Sequence, residues 1–121
     1  MTEFTEAPPT SDYSRSARQH VLDEAAVAVL SDRNADYGNP EDNFNDIARL
    51  WDAYWQARKP GPFTRVDVSV MMVLTKIGRL VTSPCKADHW VDIAGYASCG
   101  YAAALADAAD LGRGDNPTVV D

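Results

Sequence analysis

Residues 64–84 read TRVDVSVMMVLTKIGRLVTSP, and this stretch decides the fold. Side chains on an α-helix advance by about 100° per residue. On that wheel Val66, Val70, Val73, Leu74, Ile77 and Val81 gather on one side, and Arg65, Ser69, Met72, Lys76 and Arg79 on the other. The period is helical. Thr64, followed three residues later by Asp67, resembles a capping box, and Ser83-Pro84 stops the run. The spacing predicts a helix over 64–81.

Working outward, the preceding stretch predicts a second helix of the same kind. Asn39 is a good N-cap, Pro40 suits the first helical position, and Glu41 and Asp42 complement the positive end of the dipole. Its apolar stripe is Phe44, Ile47, Trp51, Tyr54 and Trp55, and Lys59-Pro60-Gly61-Pro62 ends it. Upstream, a helix over about 14–33 places Val21, Ala25, Ala28 and Val29 on one face. It stops before the turn residues Asp36-Tyr37-Gly38-Asn39-Pro40. Downstream, a helix over about 87–111 carries Trp90, Ile93, Ala97, Tyr101 and Leu105 as its main apolar face, with Gly112 as a C-terminal stop. Nothing alternates with the period of a strand. The expected architecture is all-α, an up-and-down bundle of about four helices. Residues 1–12 read as a flexible leader, 13–112 as one helical-bundle domain and 113–121 as a flexible tail.

With 121 residues and 45% hydrophobic content, the chain suits one small domain, which gains stability by burying more surface in a homo-oligomer. Two cysteines imply no disulfide framework, so a reducing cytoplasmic setting is expected. No apolar run approaches the roughly 20 residues of a membrane span. Eleven basic against 18 acidic residues, a net charge of −7, disfavour a nucleic-acid polymer as partner. A small phosphorylated ligand needs only a local cation pair or a metal.

The acidic residues carry the chemistry. Asp67 lies at the edge of the apolar side of its helix, where it serves either as a cap or as a ligand. Asp88 and Asp92 stand one turn apart, opposite the main apolar face of the last helix. The same line continues through the small residues Gly95, Cys99, Ala103 and Ala106, against which another helix can approach. Packing there would leave both aspartates at the mouth of an interhelical cleft. Asp46, between the apolar and solvent faces of the second helix, is a fourth candidate. Buried carboxylates are costly unless paired or bound to a cation. Several converging between helices suit Mg²⁺ or Mn²⁺, which prefer oxygen ligands. The alternative is a salt-bridge network with Lys76 and Arg79, or plain solvation. Asn43 sits on the apolar side of its helix and needs partners for its amide. Cys85 and His89 alone make a poor zinc site.

Two sets of strings carry a resemblance. They are Tyr37-Gly38-Asn39-Pro40-Glu41-Asp42-Asn43-Phe44 with Ile47-Ala48-Arg49-Leu50-Trp51, and Asp67-Val68-x-x-Met71-Met72-x-x-x-Lys76-Ile77-x-Arg79 with Asp88-x-x-x-Asp92-Ile93-Ala94-Gly95-Tyr96. Over about residues 20–103 they resemble an uncharacterised all-α family encoded by bacteriophages. That family is distantly similar to the MazG-type nucleotide pyrophosphohydrolases. The resemblance implies an oligomeric helical bundle that binds Mg²⁺ and cleaves nucleoside triphosphates to monophosphates and pyrophosphate, in the cytoplasm of the host. The Glu-Glu-x-x-Glu helix of the MazG type has no counterpart here. Its nearest spacing is Glu41-Asp42-x-x-Asn45, and Asp88 and Asp92 are four residues apart instead of three.

Three functions follow as expectations. In the first, Asp67, Asp88 and Asp92, with Asp46, hold a metal for phosphoanhydride hydrolysis. Lys76 and Arg79 bind phosphate oxygens, and Tyr37, Asn43 and Tyr96 contact the base. In the second, the chain is a non-catalytic oligomer that sequesters a nucleotide or a host protein. In the third, it is a structural helix bundle.

Overall fold

The computed structural model describes residues 10–30 and 39–112. It is all-helical, with four helices and no strand among the described residues. The chain divides into two compact units, residues 1–36 and 37–121.

In the first unit, helix α1 spans Thr10–Leu30. Gln19 donates from Nε2 to Asp23 Oδ1 one turn on, at 2.9 Å. Val21, Leu22, Val27, Val29 and Leu30 are all exposed.

The second unit holds α2 (Pro40–Ala57), α3 (Arg65–Leu80) and α4 (Ala87–Asp110). Each starts or stops where local chemistry dictates. The Asn39 side chain accepts from the N–H of Glu41, with Pro40 at the first helical position. Thr64 and Asp67 form a reciprocal capping box at the head of α3. The indole N–H of Trp90 donates to the carbonyl of Pro84 at 2.9 Å, tying the α3–α4 turn to the first turn of α4.

Helix α3 is central and packs against both neighbours. Its contacts with α2 run in opposite order along the two helices: Asn43 meets Gly78 and Arg79, Ile47 meets Gly78, Trp51 meets Met71 and Thr75, and Tyr54 meets Asp67. Those with α4 do the same, through Arg65 with Asp107, Ser69 with Tyr96, and Lys76 with Asp92. The unit is therefore up–down–up.

Two close approaches set its packing. A Cβ added at Gly78 would lie 2.5 Å from Ile47 Cγ1, so α2 and α3 cross where only glycine fits. At Gly100 an added Cβ would collide with Ser69, whose hydroxyl donates to the carbonyl of Tyr96 at 2.6 Å.

Two expected faces are corrected by this packing. In α2, Phe44 and Trp55 are exposed, and the inward row is Asn43, Ile47 and Tyr54. In α4, Trp90, Ala97 and Tyr101 are exposed, as are Gly95, Cys99 and Ala106 of the small-residue stripe. The inward row runs instead through His89, Ile93, Tyr96, Gly100 and Ala103. Helix α4 is so rich in alanine and glycine that its apolar surface extends nearly all round. The close approach at Gly100 then selects the face.

Ile47, at 7% exposure, is the one buried apolar side chain among the described residues. Trp51, Trp55, Phe63 and Tyr101 keep large exposed surfaces. No helix among the described residues is long and apolar enough to cross a membrane.

Candidate functional site

The proposed ligands separate into two groups at opposite ends of α3. Nine residues of helix rise about 14 Å, and that separates Asp67 from Lys76 along the axis.

At the first end, Asp67 is 6% exposed and fully engaged. Its Oδ1 accepts from Tyr54 Oη at 2.5 Å and from Arg58 Nε at 3.1 Å. Its Oδ2 accepts from Arg58 Nη2 at 2.8 Å, from the Thr64 N–H at 2.8 Å and from Thr64 Oγ1 at 3.2 Å. Arg58 also donates to the carbonyls of Gly61 and Pro62, at 3.1 and 3.0 Å, so it stitches the α2–α3 loop to both helices. Its guanidinium lies 5.3 Å from the Trp55 ring centre and 5.2 Å from that of Phe63. The hydrogen bond from Tyr54, then the backbone N–H of Thr64, then Arg58 hold the Asp67 carboxyl well below the usual carboxylate range, although desolvation opposes them. The same bond pushes the Tyr54 hydroxyl up. Asp67 thus anchors a corner in the capping role that was the alternative to a metal ligand, with its lone pairs turned toward donors.

This arrangement predicts an acid limb in stability. The folded chain lowers the carboxyl below its unfolded value of about 3.9. Its contribution is therefore present above about pH 4 and fades as pH falls below it. Urea midpoints measured from pH 6 down to pH 2.5 should fall more steeply for the wild type than for Asp67→Ala. Parallel curves would show that Asp67 does not drive the acid limb.

At the other end, side chains from all three helices converge. Asn43 is 0% exposed. Its Nδ2 donates to the carbonyl of Gly78 at 2.9 Å, and its Oδ1 accepts from Arg79 Nη1 at 2.8 Å. The polar residue on the apolar side of α2 therefore reads α3 twice. Being fully buried, Asn43 orients Arg79 and presents no surface to a ligand. Lys76, one turn before Arg79, reaches across to α4 and lies 3.1 Å from Asp92 Oδ2. Asp88 is exposed in the first turn of α4. His89, buried between them in sequence, was missed as a member of this group. Burial pushes its imidazole down, the charges of Lys76 and Arg79 push it further, and Asp88 and Asp92 oppose. Its signal in the sequence was its place between two aspartates one turn apart.

Tyr96 is half-buried and, with Val91, Asp92, Gly95 and Cys99, lines a shallow depression of about 300 Å³ beside the Lys76–Asp92 pair. Asp46 is half-buried on α2 and ion-paired with Arg49 at 2.7 Å. Tyr37 lies outside the described residues. Among the described residues no group of three or more His, Cys, Asp or Glu side chains is placed to hold a metal by itself. Cys85 and Cys99 are exposed free thiols.

The Asn43–Arg79 and Lys76–Asp92 links lie in a segment that also carries a family signature. Residues 20–104 match the model of a family described as Domain of unknown function (DUF6378). The chain belongs to that family. Two curated relatives are both described as Gene 55 protein. The one from Mycobacterium phage D29 is 36% identical over 81 residues, covering 67% of this chain and 51% of the relative. The one from Mycobacterium phage L5 is 42% identical over 77 residues, covering 64% of this chain and 47% of the relative. The chain thus spans about half the length of the curated relatives it matches. No solved structure matches it significantly. The family segment contains both the Asp67 corner and the whole Asn43–Lys76–Arg79–Asp88–Asp92 cluster.

Proposed function

We propose that the chain is a phage nucleotide-metabolism protein that binds a nucleoside triphosphate with Mg²⁺ or Mn²⁺ at the α2–α3–α4 cluster and hydrolyses a phosphoanhydride bond. The observation that carries this reading is the pair of cations one turn apart on α3, Lys76 paired with Asp92 of α4 and Arg79 donating to Asn43 of α2. Arg and Lys at that spacing match the oxygens of a polyphosphate. Two carboxylates suffice for the metal, because Mg²⁺ is commonly held by one or two carboxylates with the substrate's own phosphates completing the set. Bound there, the metal would polarise the phosphoryl group and activate water. The depression beside Tyr96 offers room for the base or sugar.

A second reading has its own support. Asp67 is committed to the corner, and Asp46 is paired with Arg49. The site is left with Asp88 and with Asp92, itself paired with Lys76, where four carboxylates were expected. A site with fewer acidic groups still binds a nucleotide, and sequestration without turnover is the alternative.

Calorimetric titration of a nucleoside triphosphate panel with Mg²⁺ or Mn²⁺, followed by a pyrophosphate-release assay, separates the two. Turnover that disappears in Asp92→Asn, with an unchanged circular dichroism spectrum, supports hydrolysis. Binding without release supports sequestration, and neither binding nor release removes the nucleotide reading.

The same chain is proposed to be a homo-oligomer. One buried apolar side chain is a small core, and the open groove between α3 and α4 is lined by Val66, Val70, Val73, Ala97, Tyr101 and Ala104. Light scattering coupled to size-exclusion chromatography should return a multiple of the chain mass. A monomer at micromolar concentration would remove this proposal.

A further inference from the structure

We infer that the outer face of the α3–α4 pair is a two-fold interface, on which the same face of a second copy closes a four-helix core. This rests on the homo-oligomer reading above and names its surface and its symmetry.

Helix α3 meets its neighbours through its less apolar sides. Its contacts with α2 leave from Asp67, Met71, Thr75, Gly78 and Arg79. Those with α4 leave from Arg65, Ser69 and Lys76. The apolar row is neither of these. Val66, Val70, Val73, Ile77 and Leu80 follow one another at the four–three spacing of a bundle seam, on a third side of the helical wheel. Ile77 is exposed and the other four are only half-buried. Helix α4 repeats the pattern. Trp90, Ala94, Ala97, Tyr101 and Ala104 keep the same spacing, and all five are exposed. The two rows border one groove of about 350 Å³, with Val70 and Val73 on one wall and Ala97 and Tyr101 on the other. Neither row holds a charged residue, so together they form one apolar face across two antiparallel helices.

Three observations select a second copy as the occupant. The first is size. Each row rises about 21 Å, and two helices side by side are about 20 Å wide. That gives about 400 Å² in projection, or about 800 Å² over two copies, and the relief of ridged side chains brings it to the roughly 1,000 Å² that a specific interface needs. The second is pattern. Both rows have one period and are apolar throughout, so a two-fold axis across the groove sets apolar against apolar along the whole length. The third is need. Ile47 is the one buried apolar side chain among the described residues, so the cover is required whenever the unit is folded. Another copy of the chain is the partner that is always present with it.

The test uses the full chain. Sedimentation equilibrium of the wild type should return two copies or a multiple of two. Ala97→Glu and Ile77→Glu each place an unpaired carboxylate inside the interface, and each should raise the dissociation constant about 30-fold or more. Ala48→Glu makes the same change at an exposed position of α2 and should leave the constant unchanged. Hydroxyl-radical footprinting of the wild type reads the face without any substitution. Val81, beside the α3 row, and Val68, on the other side of the same helix, are 62% and 55% exposed in one copy. Val81 should be labelled several-fold more slowly than Val68. A wild-type monomer overturns the homo-oligomer reading, and this inference with it. An odd number of copies, an oligomer that folded Ala97→Glu and Ile77→Glu leave intact, or equal labelling of Val81 and Val68 in the oligomer overturns this inference alone.

Discussion

Asp67→Asn is expected to lower the melting temperature by about 10 °C or more, the largest loss of any single isosteric change in the second unit. The substitution keeps the shape and removes the charge. One oxygen becomes an NH₂ group, and whichever way the amide turns, that group faces an N–H of Arg58. Turned one way it also meets the N–H of Thr64, and the capping box at the head of α3 is broken. The Arg58 guanidinium, 11% exposed at its side chain, then carries an uncompensated charge inside the corner. The partners are less sensitive. Arg58→Ala removes two hydrogen bonds to Asp67 and the stitches to Gly61 and Pro62, but leaves the carboxylate the hydroxyl of Tyr54 and the N–H of Thr64. Tyr54→Phe removes one hydrogen bond to a charged acceptor, about 1.5–3 kcal/mol. The expected order of melting temperatures is therefore wild type, Tyr54→Phe, Arg58→Ala, Asp67→Asn. A scan by differential calorimetry reads it directly. If Asp67→Asn melted with the wild type but bound Mn²⁺ more weakly, the carboxylate would be a metal ligand after all.

What was legible in the sequence follows the range of the interactions. Helix boundaries were, because caps act over three or four residues. Asn39 with Pro40, Thr64 with Asp67, and Ser83-Pro84 fixed the ends of α2 and α3 to within a residue or two. The burial of Asp67 was also readable from its place at the edge of an apolar face. Its partner was not, because Arg58 reaches it from beyond the end of α2, across a loop that the helical wheel does not describe. Asn43 announced a need for partners, but Gly78 and Arg79 lie 35 and 36 residues away, and only the crossing of α2 and α3 joins them. The inward face of α4 was misjudged for a related reason. With apolar groups on nearly every side, periodicity had no contrast, and a steric fit at Gly100 decided instead. The consequence for function is specific. The expected single acidic cavity becomes a structural corner at one end of α3 and a mixed cationic–acidic cluster at the other. Asn43 moves from the ligand to the scaffold behind Arg79.

That scaffold makes Gly78→Val the sharpest test of how the site is held. A Cβ at this position would lie 2.5 Å from Ile47 Cγ1, and valine adds two further methyl groups. Ile47 is β-branched, so its χ1 has little freedom to swing aside within a helix. It is also the buried apolar residue of the unit, so the strain falls on the packing that joins α2 to α3. Overpacking of this kind costs about 1–3 kcal/mol, while valine's better helix propensity than glycine returns only a few tenths. The second effect is on binding. Forcing α2 away from α3 lengthens the bond from Asn43 Nδ2 to the Gly78 carbonyl, now 2.9 Å, and the bond from Arg79 Nη1 to Asn43 Oδ1, now 2.8 Å. Arg79 then loses the acceptor that orients it, and nucleotide affinity should fall along with the melting temperature. Gly95→Ala is the contrasting change, since a Cβ there meets nothing within 4 Å. It should stabilise α4 by about 0.5–1 kcal/mol through backbone entropy alone. If Gly78→Val were as stable as the wild type or more so, the close crossing of α2 and α3 at Ile47 and Gly78 would be refuted, and with it the route by which Asn43 reaches Arg79.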